Sequence, residues 1–286
     1  MTRSAILLDT DIARARQPFK PLPNVITSFS EEGYKQYGHA FIDTWLEYWS
    51  PDIRLTVYYE GDDFPFTEGM SWCPIEKVDF LKDYLGMLQF PIMHGLIGNS
   101  FDMWFDARQA RKVFMEMHAL RQYGGKVFWI DADTITHAKV PTSFLDECLP
   151  DDKFCCYLGR DGWYHTESGF IGFNGAHPIA DKFAKNYVNL FMSGAFLTNA
   201  IHGRLGWNDC CGFDAIRRVV FAHSDAFLNL AADVPQGTMH PLINTKLGAY
   251  LDHRKGPRKD SRSTVIDLTT KRTEAYWTHP GSGAKH

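Results

Sequence analysis

One run constrains this chain more than any other: Lys126-Val-Phe-Trp-Ile130, followed directly by Asp131-Ala-Asp133-Thr134. A continuous apolar stretch of strand length, entered from a Gly124-Gly125 turn, reads as a strand buried on both faces of a parallel sheet. It stops in two carboxylates. Ligands of open α/β sheets gather beyond the carboxyl ends of the strands. Residues two apart on an extended backbone point the same way. Asp131 and Asp133 therefore form a hard-oxygen site suited to Mg²⁺ or Mn²⁺, ions that also take diphosphate oxygens. The plain alternative is a solvated acidic turn.

The flanking pattern is that of a layered α/β fold. Residues 1–23 are a lead-in that closes in the proline-rich stretch 17–23, where helix is excluded. A β-type run over 24–29 precedes a helix over 31–49, with Tyr37, Phe41, Trp45 and Trp49 on one face. Residues 53–59 are rich in β-branched and aromatic side chains and read as a second strand, ending in a turn with Glu60, Asp62 and Asp63. Residues 64–104 read as loop with short helices. A helix over 106–122 has an apolar face of Ala110, Val113, Phe114, Met117 and Leu120, and a basic flank of Arg108, Arg111 and Lys112. Strand candidates at 154–158 and 169–173 follow, then helices over 179–191 and 212–220.

Composition narrows the function classes. At 286 residues and 44% hydrophobic content the chain is an ordinary globular protein, and no apolar run reaches the ~18 residues of a membrane span. The apolar run at Ala5–Leu8 meets Asp9 and Asp11 at once, too short and too acidic for a signal peptide. A cytoplasmic protein with no membrane partner is expected. The net charge of −4 implies no bulk grip on nucleic acid. The six cysteines form no C-x-x-C pair and read as reduced, mostly buried thiols. From Arg254 onward eight Lys/Arg face three carboxylates, a basic tail.

An apolar strand ending in Asp-x-Asp occurs in two enzyme classes. Haloacid-dehalogenase-type phosphatases use the first Asp, here Asp131, as a nucleophile. Their string opens the domain and is followed by a Lys and a second acidic pair at further strand ends. Here it lies mid-chain, and the downstream pair Asp151-Asp152 follows a proline rather than a strand. The other class is the nucleotide-sugar transferases of the GT-A fold, which this chain resembles over about residues 24–260. The resemblance rests on Val25–Phe29 with Tyr34, on Phe128–Thr134, on Glu167-Ser-Gly-Phe-Ile-Gly-Phe-Asn174, and on His253-x-x-Gly256-x-x-Lys259. The last is similar to the motif of glycogenin-like enzymes, although Asp260-Ser261 stand where Pro-Trp is usual. The overall pattern is similar to small soluble bacterial and phage transferases, some of which glycosylate hydroxymethylated bases in DNA.

The resemblance implies a GT-A fold: a Rossmann-like, mainly parallel sheet flanked by helices. It divides into a nucleotide-binding half over 24–134 and an acceptor half over 135–253, with a basic extension over 254–286. It implies a donor nucleoside diphosphate sugar, most often a UDP sugar, and Mn²⁺ or Mg²⁺ held by Asp131, Asp133 and His253. Asp131 also reaches the ribose. Thr27, Ser28 and Phe29 meet the nucleoside through their backbone, and Tyr34 or Tyr58 stacks on it; a core role is the alternative for either ring. Lys255, Gly256 and Lys259 meet the diphosphate, with a solvated tail as the alternative. Arg111 and Lys112 are phosphate or sugar contacts, or a solvated helix face. An inverting transferase needs a carboxylate base. Asp209 is the candidate, with a helix cap as its plain reading, and Glu167 is the rival base or a donor-sugar contact. The acceptor is a hydroxyl compound, DNA bearing hydroxymethyl bases among the candidates. A nucleotide-binding protein without turnover is a third class.

Overall fold

The structure is a computed structural model and describes residues 22–62, 64, 66–93, 109–160, 164–194, 208–256 and 261–278. Asp63, Arg108, Lys259 and almost all of the lead-in lie outside the described residues.

The first strand, β1 (Asn24–Ser30), ends where the Ser30 hydroxyl accepts from the Gly33 amide at 3.2 Å and caps a short helix, Glu31–Gly33. That helix passes through a π-helical turn, Tyr34–Gly38, into α1 (His39–Tyr48). Then come β2 (Arg54–Glu60), β3 (Ser71–Pro74), α2 (Leu81–Met93) and α3 (Arg111–Tyr123). Next are β4 (Lys126–Ile130), β5 (Thr134–Thr136), α4 (Phe144–Cys148), β6 (Cys155–Leu158), β7 (Glu167–Asn174) and α5 (Ala180–Met192). The described chain continues through α6 (Asp209–Ala215), β8 (Phe227–Asn229), α7 (Pro241–Asn244), β9 (Leu251–His253) and α8 (Ala275–Thr278).

Among the described residues one seven-stranded sheet runs in the order β3-β2-β1-β4-β7-β6-β8. β1 to β4 are parallel, β7 is antiparallel to both its neighbours, and β8 is parallel to β6. All strands but β7 therefore finish on one edge. The alternation of strand side chains feeds two cores. Ile26, Val127, Trp129, Ile171 and Phe173 pack under α2, α3, α5 and α6. Val25, Phe128, Ile130 and Phe170 pack under α1, α4 and α7. The result is the α/β class expected, a mainly parallel sheet flanked by helices in a single domain. A two-stranded ribbon, β5 with β9, sits beyond the end of β4 and pairs Thr134 with His253.

Residues 64–104 are more regular than the sequence suggested. β3 is a short, half-exposed edge strand ending in Pro74. The 13-residue α2 carries Gly86 and Pro91, both of which count against helix. Burial of Leu81, Tyr84 and Leu88 against α3 and α5 overrides that propensity. The described tail folds back on the domain. Trp277 is buried with its indole N–H on the Gly248 carbonyl at 2.7 Å, and the Tyr276 hydroxyl donates to Asp252 at 2.6 Å. No disulfide joins the described cysteines. No described helix is long and apolar enough to cross a membrane.

Candidate active site

A cleft of about 810 Å³ opens beyond the carboxyl ends of β1, β2 and β4. Ser28 and Phe29 line it at the end of β1, Arg111 and Lys112 at the start of α3, and Trp129, Asp131 and Asp133 at the end of β4; Gly256 also borders it. The Asp131 amide is held by the Gly169 carbonyl at 3.0 Å, and the Asp131 carbonyl accepts from the Thr134 amide at 3.0 Å. This tight turn leads into β5, whose pairing with β9 delivers His253 from 120 positions downstream. One oxygen of each carboxylate and one imidazole nitrogen then lie within 4.8 Å of one another. His253 Nε2 stands 3.0 Å from Asp133 Oδ1 and 3.5 Å from Asp131 Oδ2.

The other face of His253 fixes its role. Nδ1 meets Glu167 Oε1 at 3.0 Å, which aims Nε2 at the two aspartates. Metal-binding histidines are oriented in this way by a carboxylate behind them. Gly169 makes the room: a Cβ there would stand 2.6 Å from His253 Cε1. Burial opposes a charge on His253, but Asp133, Glu167 and Asp131 hold its pKa up at about 9. Without a cation, the proton on Nε2 does a cation's electrostatic work. Two carboxylate oxygens and an imidazole nitrogen are a donor set that fits Mn²⁺ or Mg²⁺, with remaining positions for water and phosphate oxygens.

A second cation lies behind the first. The Lys112 ammonium is 3.1 Å from Asp131 Oδ1 and 3.4 Å from Asp209 Oδ2, it donates to the Ser168 carbonyl, and its side chain is 6% exposed. Burial opposes its charge, and Asp131 and Asp209 hold its pKa above the ordinary lysine value. Glu116, one turn along α3, is pushed up to about 8 by burial and is a neutral acid at pH 7. The Trp129 indole N–H also donates to Asp131 Oδ1 at 2.5 Å, so Oδ1 is spoken for and Oδ2 faces His253.

The expected residues distribute unevenly around this centre. Asp131, Asp133, His253, Lys112, Asp209, Glu167 and Lys255 form one contact network. Lys112 is no solvated flank. Glu167 stands behind His253 and positions its ring. It is 2% exposed; Oε1 takes His253 and the Lys255 ammonium at 2.6 Å, and Oε2 takes the Leu242 amide at 3.3 Å. Burial opposes its charge, yet Lys255 and the facing histidines hold its pKa well below the usual range. Asp209 begins α6, but the capping oxygen there is that of Asn208, which takes the Cys211 amide at 3.0 Å.

Arg111 pairs with Glu60 at 2.6 Å on the cleft wall, and Gly256 adopts φ +61° at its rim. Thr27 is fully buried within β1. Tyr34 packs on Phe29, ring centroids 5.5 Å apart, beside the cleft. Tyr58 borders the cleft but is 1% exposed, with its hydroxyl on His118 Nδ1 at 2.9 Å. Sequence reasoning missed Tyr37 as a cleft residue. Tyr37, in the π-helical turn, packs against the core of Phe41 and Trp45 and also borders the cleft. Burial and the nearby Asp133 and Asp131 raise its pKa.

No protein-family model matches the chain, and no curated protein matches its sequence. Solved structures similar in fold include the following three. Mouse xyloside xylosyltransferase 1 aligns over 73% of this chain and 84% of its own, at 10% identity and TM-score 0.45. The bifunctional glycosyltransferase WbbM aligns over 74% of this chain and 39% of its own, at 11% identity and TM-score 0.45. The glycosyltransferase GlyE of Streptococcus pneumoniae aligns over 74% of this chain and 45% of its own, at 15% identity and TM-score 0.40.

Proposed function

We propose that this protein is a metal-dependent glycosyltransferase that moves a sugar from a nucleoside diphosphate sugar to a hydroxyl acceptor. The observation that carries the reading is the convergence of Asp131, Asp133 and His253 Nε2 at one point on the cleft, with Glu167 behind the histidine. Charge balance supports a divalent ion. The carboxylates of Asp131, Asp133, Asp209 and Glu167 face Lys112, Lys255 and a protonated His253, four charges against three. With His253 neutral and a divalent cation bound, four face four.

A metal held there would neutralise charge on the leaving diphosphate as the glycosidic bond breaks. The chain's own groups do the rest. Ser28, Phe29 and Tyr37 border the space for the nucleoside, and Arg111 offers a guanidinium to the phosphates from α3. Lys112 and Trp129 lock Asp131, so the site is preorganised before donor enters. Asp209 is the carboxylate on the far side of Lys112, and serves as the base if the transfer inverts. A UDP sugar is the donor we expect.

Thermal stabilisation by a panel of nucleoside diphosphates, with Mn²⁺ and with EDTA, tests the reading. A shift that needs both nucleotide and metal, lost in Asp133→Ala, is the expected result. Hydrolysis of a simple phosphate ester without any nucleotide-dependent shift would favour the phosphatase chemistry of Asp131 instead.

A further inference from the structure

The ribbon that brings His253 to the aspartates is too small to hold itself. It pairs only Thr134–Thr136 with Leu251–His253. A two-stranded ribbon is marginal on its own in water. Neighbouring residues of a strand face opposite ways. His253 faces the two aspartates, so Asp252 faces away from them. What meets Asp252 is the described tail, residues 261–278.

The Ser263 amide and the Tyr276 hydroxyl both donate to Asp252 Oδ2, at 2.9 and 2.6 Å. Asp252 is fully buried, so its carboxylate depends on such donors. The Tyr276 ring also stacks on His137, with centroids 3.9 Å apart and planes 6° from parallel. His137 directly follows β5, and its amide donates to the carbonyl of Tyr250, just before β9, at 2.8 Å. One side chain of α8 therefore grips both strands of the ribbon. Arg262 braces α8 in turn by donating to the Tyr276 carbonyl at 2.7 Å.

A second line of contacts runs through α7. The Asn244 side chain accepts from the Thr269 and Thr270 amides at 2.7 and 3.0 Å, and donates to the His240 carbonyl at 2.8 Å. Arg272 Nε donates to the Ile243 carbonyl at 2.9 Å. The same turn of chain reaches the candidate metal site. His240 Nε2 bonds the His253 carbonyl at 2.8 Å, and the Leu242 amide donates to Glu167 at 3.3 Å. The tail thus braces both the ribbon that carries His253 and the carboxylate behind its ring.

We propose that Tyr276 is a positioning residue for the metal site, and that docking of the tail is coupled to binding of a divalent cation there. The inference rests on the reading of Asp131, Asp133 and His253 as that site. A cation that binds better while the ribbon is gripped must, by linkage, hold the tail down by the same factor.

The test uses the full chain and two readouts. Electron paramagnetic resonance follows a Mn²⁺ titration, and mass spectrometry follows tryptic cleavage after Arg272 with Mn²⁺ or with EDTA. Tyr276→Phe keeps the stack on His137 and loses only the bond to Asp252; Tyr276→Ala loses both. Mn²⁺ affinity should fall about tenfold in Tyr276→Ala and by a smaller factor in Tyr276→Phe, at a temperature where both stay folded in EDTA. Saturating Mn²⁺ should slow cleavage of wild-type protein about tenfold. Ile266→Ala, in the same tail at a position 90% exposed, should change neither readout. Wild-type affinity in both Tyr276 variants, whatever stability they lose, would make Tyr276 a structural prop and overturn the inference, as would cleavage indifferent to Mn²⁺. If Tyr276→Ala does not fold, Tyr276→Phe decides alone. Failure of wild-type protein to bind Mn²⁺ would remove the metal reading and this inference with it, a result distinct from normal binding that ignores residue 276.

Discussion

Lys112→Met tests the electrostatics of the site most directly. The substitution keeps an apolar stem of similar length and removes the one charge lying 3.1 Å from Asp131 and 3.4 Å from Asp209. Unit charges at that separation interact by about 5 kcal/mol at an effective dielectric of about 20. Breaking a buried pair by removing one partner costs about 3–5 kcal/mol, because the other charge is left uncompensated. Asp209→Asn should cost less, about 1–3 kcal/mol, since Lys112 keeps Asp131 and the Ser168 carbonyl. In the double variant no Asp209 charge is stranded, so the two losses should fail to add, with a coupling of about 1–3 kcal/mol. Urea unfolding of the four proteins in EDTA measures the cycle. Additivity to within about 0.5 kcal/mol would refute the view that Lys112 neutralises Asp209. Asp209→Asn then also separates base from counterion: a base loses kcat at unchanged donor affinity, whereas a counterion loses both together.

Glu167→Gln should lower Mn²⁺ affinity about 10–100-fold, the usual effect of losing the carboxylate behind a ligating histidine; unchanged affinity with depressed kcat in a Mn²⁺ titration would return Glu167 to the role of base. Gly169→Ala forces the His253 ring to move, since its Cβ would stand 2.6 Å from Cε1. Mn²⁺ binding should be lost at a stability cost of about 1–3 kcal/mol, and retained wild-type affinity would show that the ring has room. His137 lies stacked on Tyr276 at 3.9 Å, and burial lowers its pKa from 6.5 to about 4. The unfolded chain takes up that proton first as the pH falls. The stabilisation is therefore complete above pH 6.5 and disappears between pH 6.5 and 4, a loss of about 3 kcal/mol. Chemical denaturation across that window should show the slope in wild type and a smaller one in His137→Phe; equal slopes would assign the acid sensitivity to other groups.

What the sequence reveals of this site is what short range determines. Asp131 and Asp133 are legible because two residues on an extended backbone share a face, and the apolar run before them marks the strand end. His253 is legible from its spacing to Gly256 and Lys259, yet only the β5–β9 ribbon explains why it meets the aspartates. What the sequence leaves open is decided by neighbours far along the chain. Lys112 reads as a phosphate or sugar contact or a solvated flank, because a helix surface is judged by its own periodicity. In the fold α3 is buried nearly all round, from Lys112 through Met117, between the sheet and α5 and α6. Tyr58 reads as a stacking platform because alternation along β2 shows two faces without showing which one α3 will cover.

Glu167 is the most instructive case, because its residue type leaves its role open between base and donor-sugar contact. A carboxylate in a Gly-rich strand beside a metal motif has the chemistry of a base. Its partner, however, is 86 positions away, and Oε1 is taken by that partner and by Lys255. Burial would drive an isolated glutamate to take up a proton. Here Lys255 and His253 reverse that drive and keep it ionised. The same contacts turn His253 toward Asp131 and Asp133. Each buried charge in this centre is tolerable only because the others are present. Such a set is specified collectively by the fold, and its members acquire their roles from contacts that residue type alone does not encode.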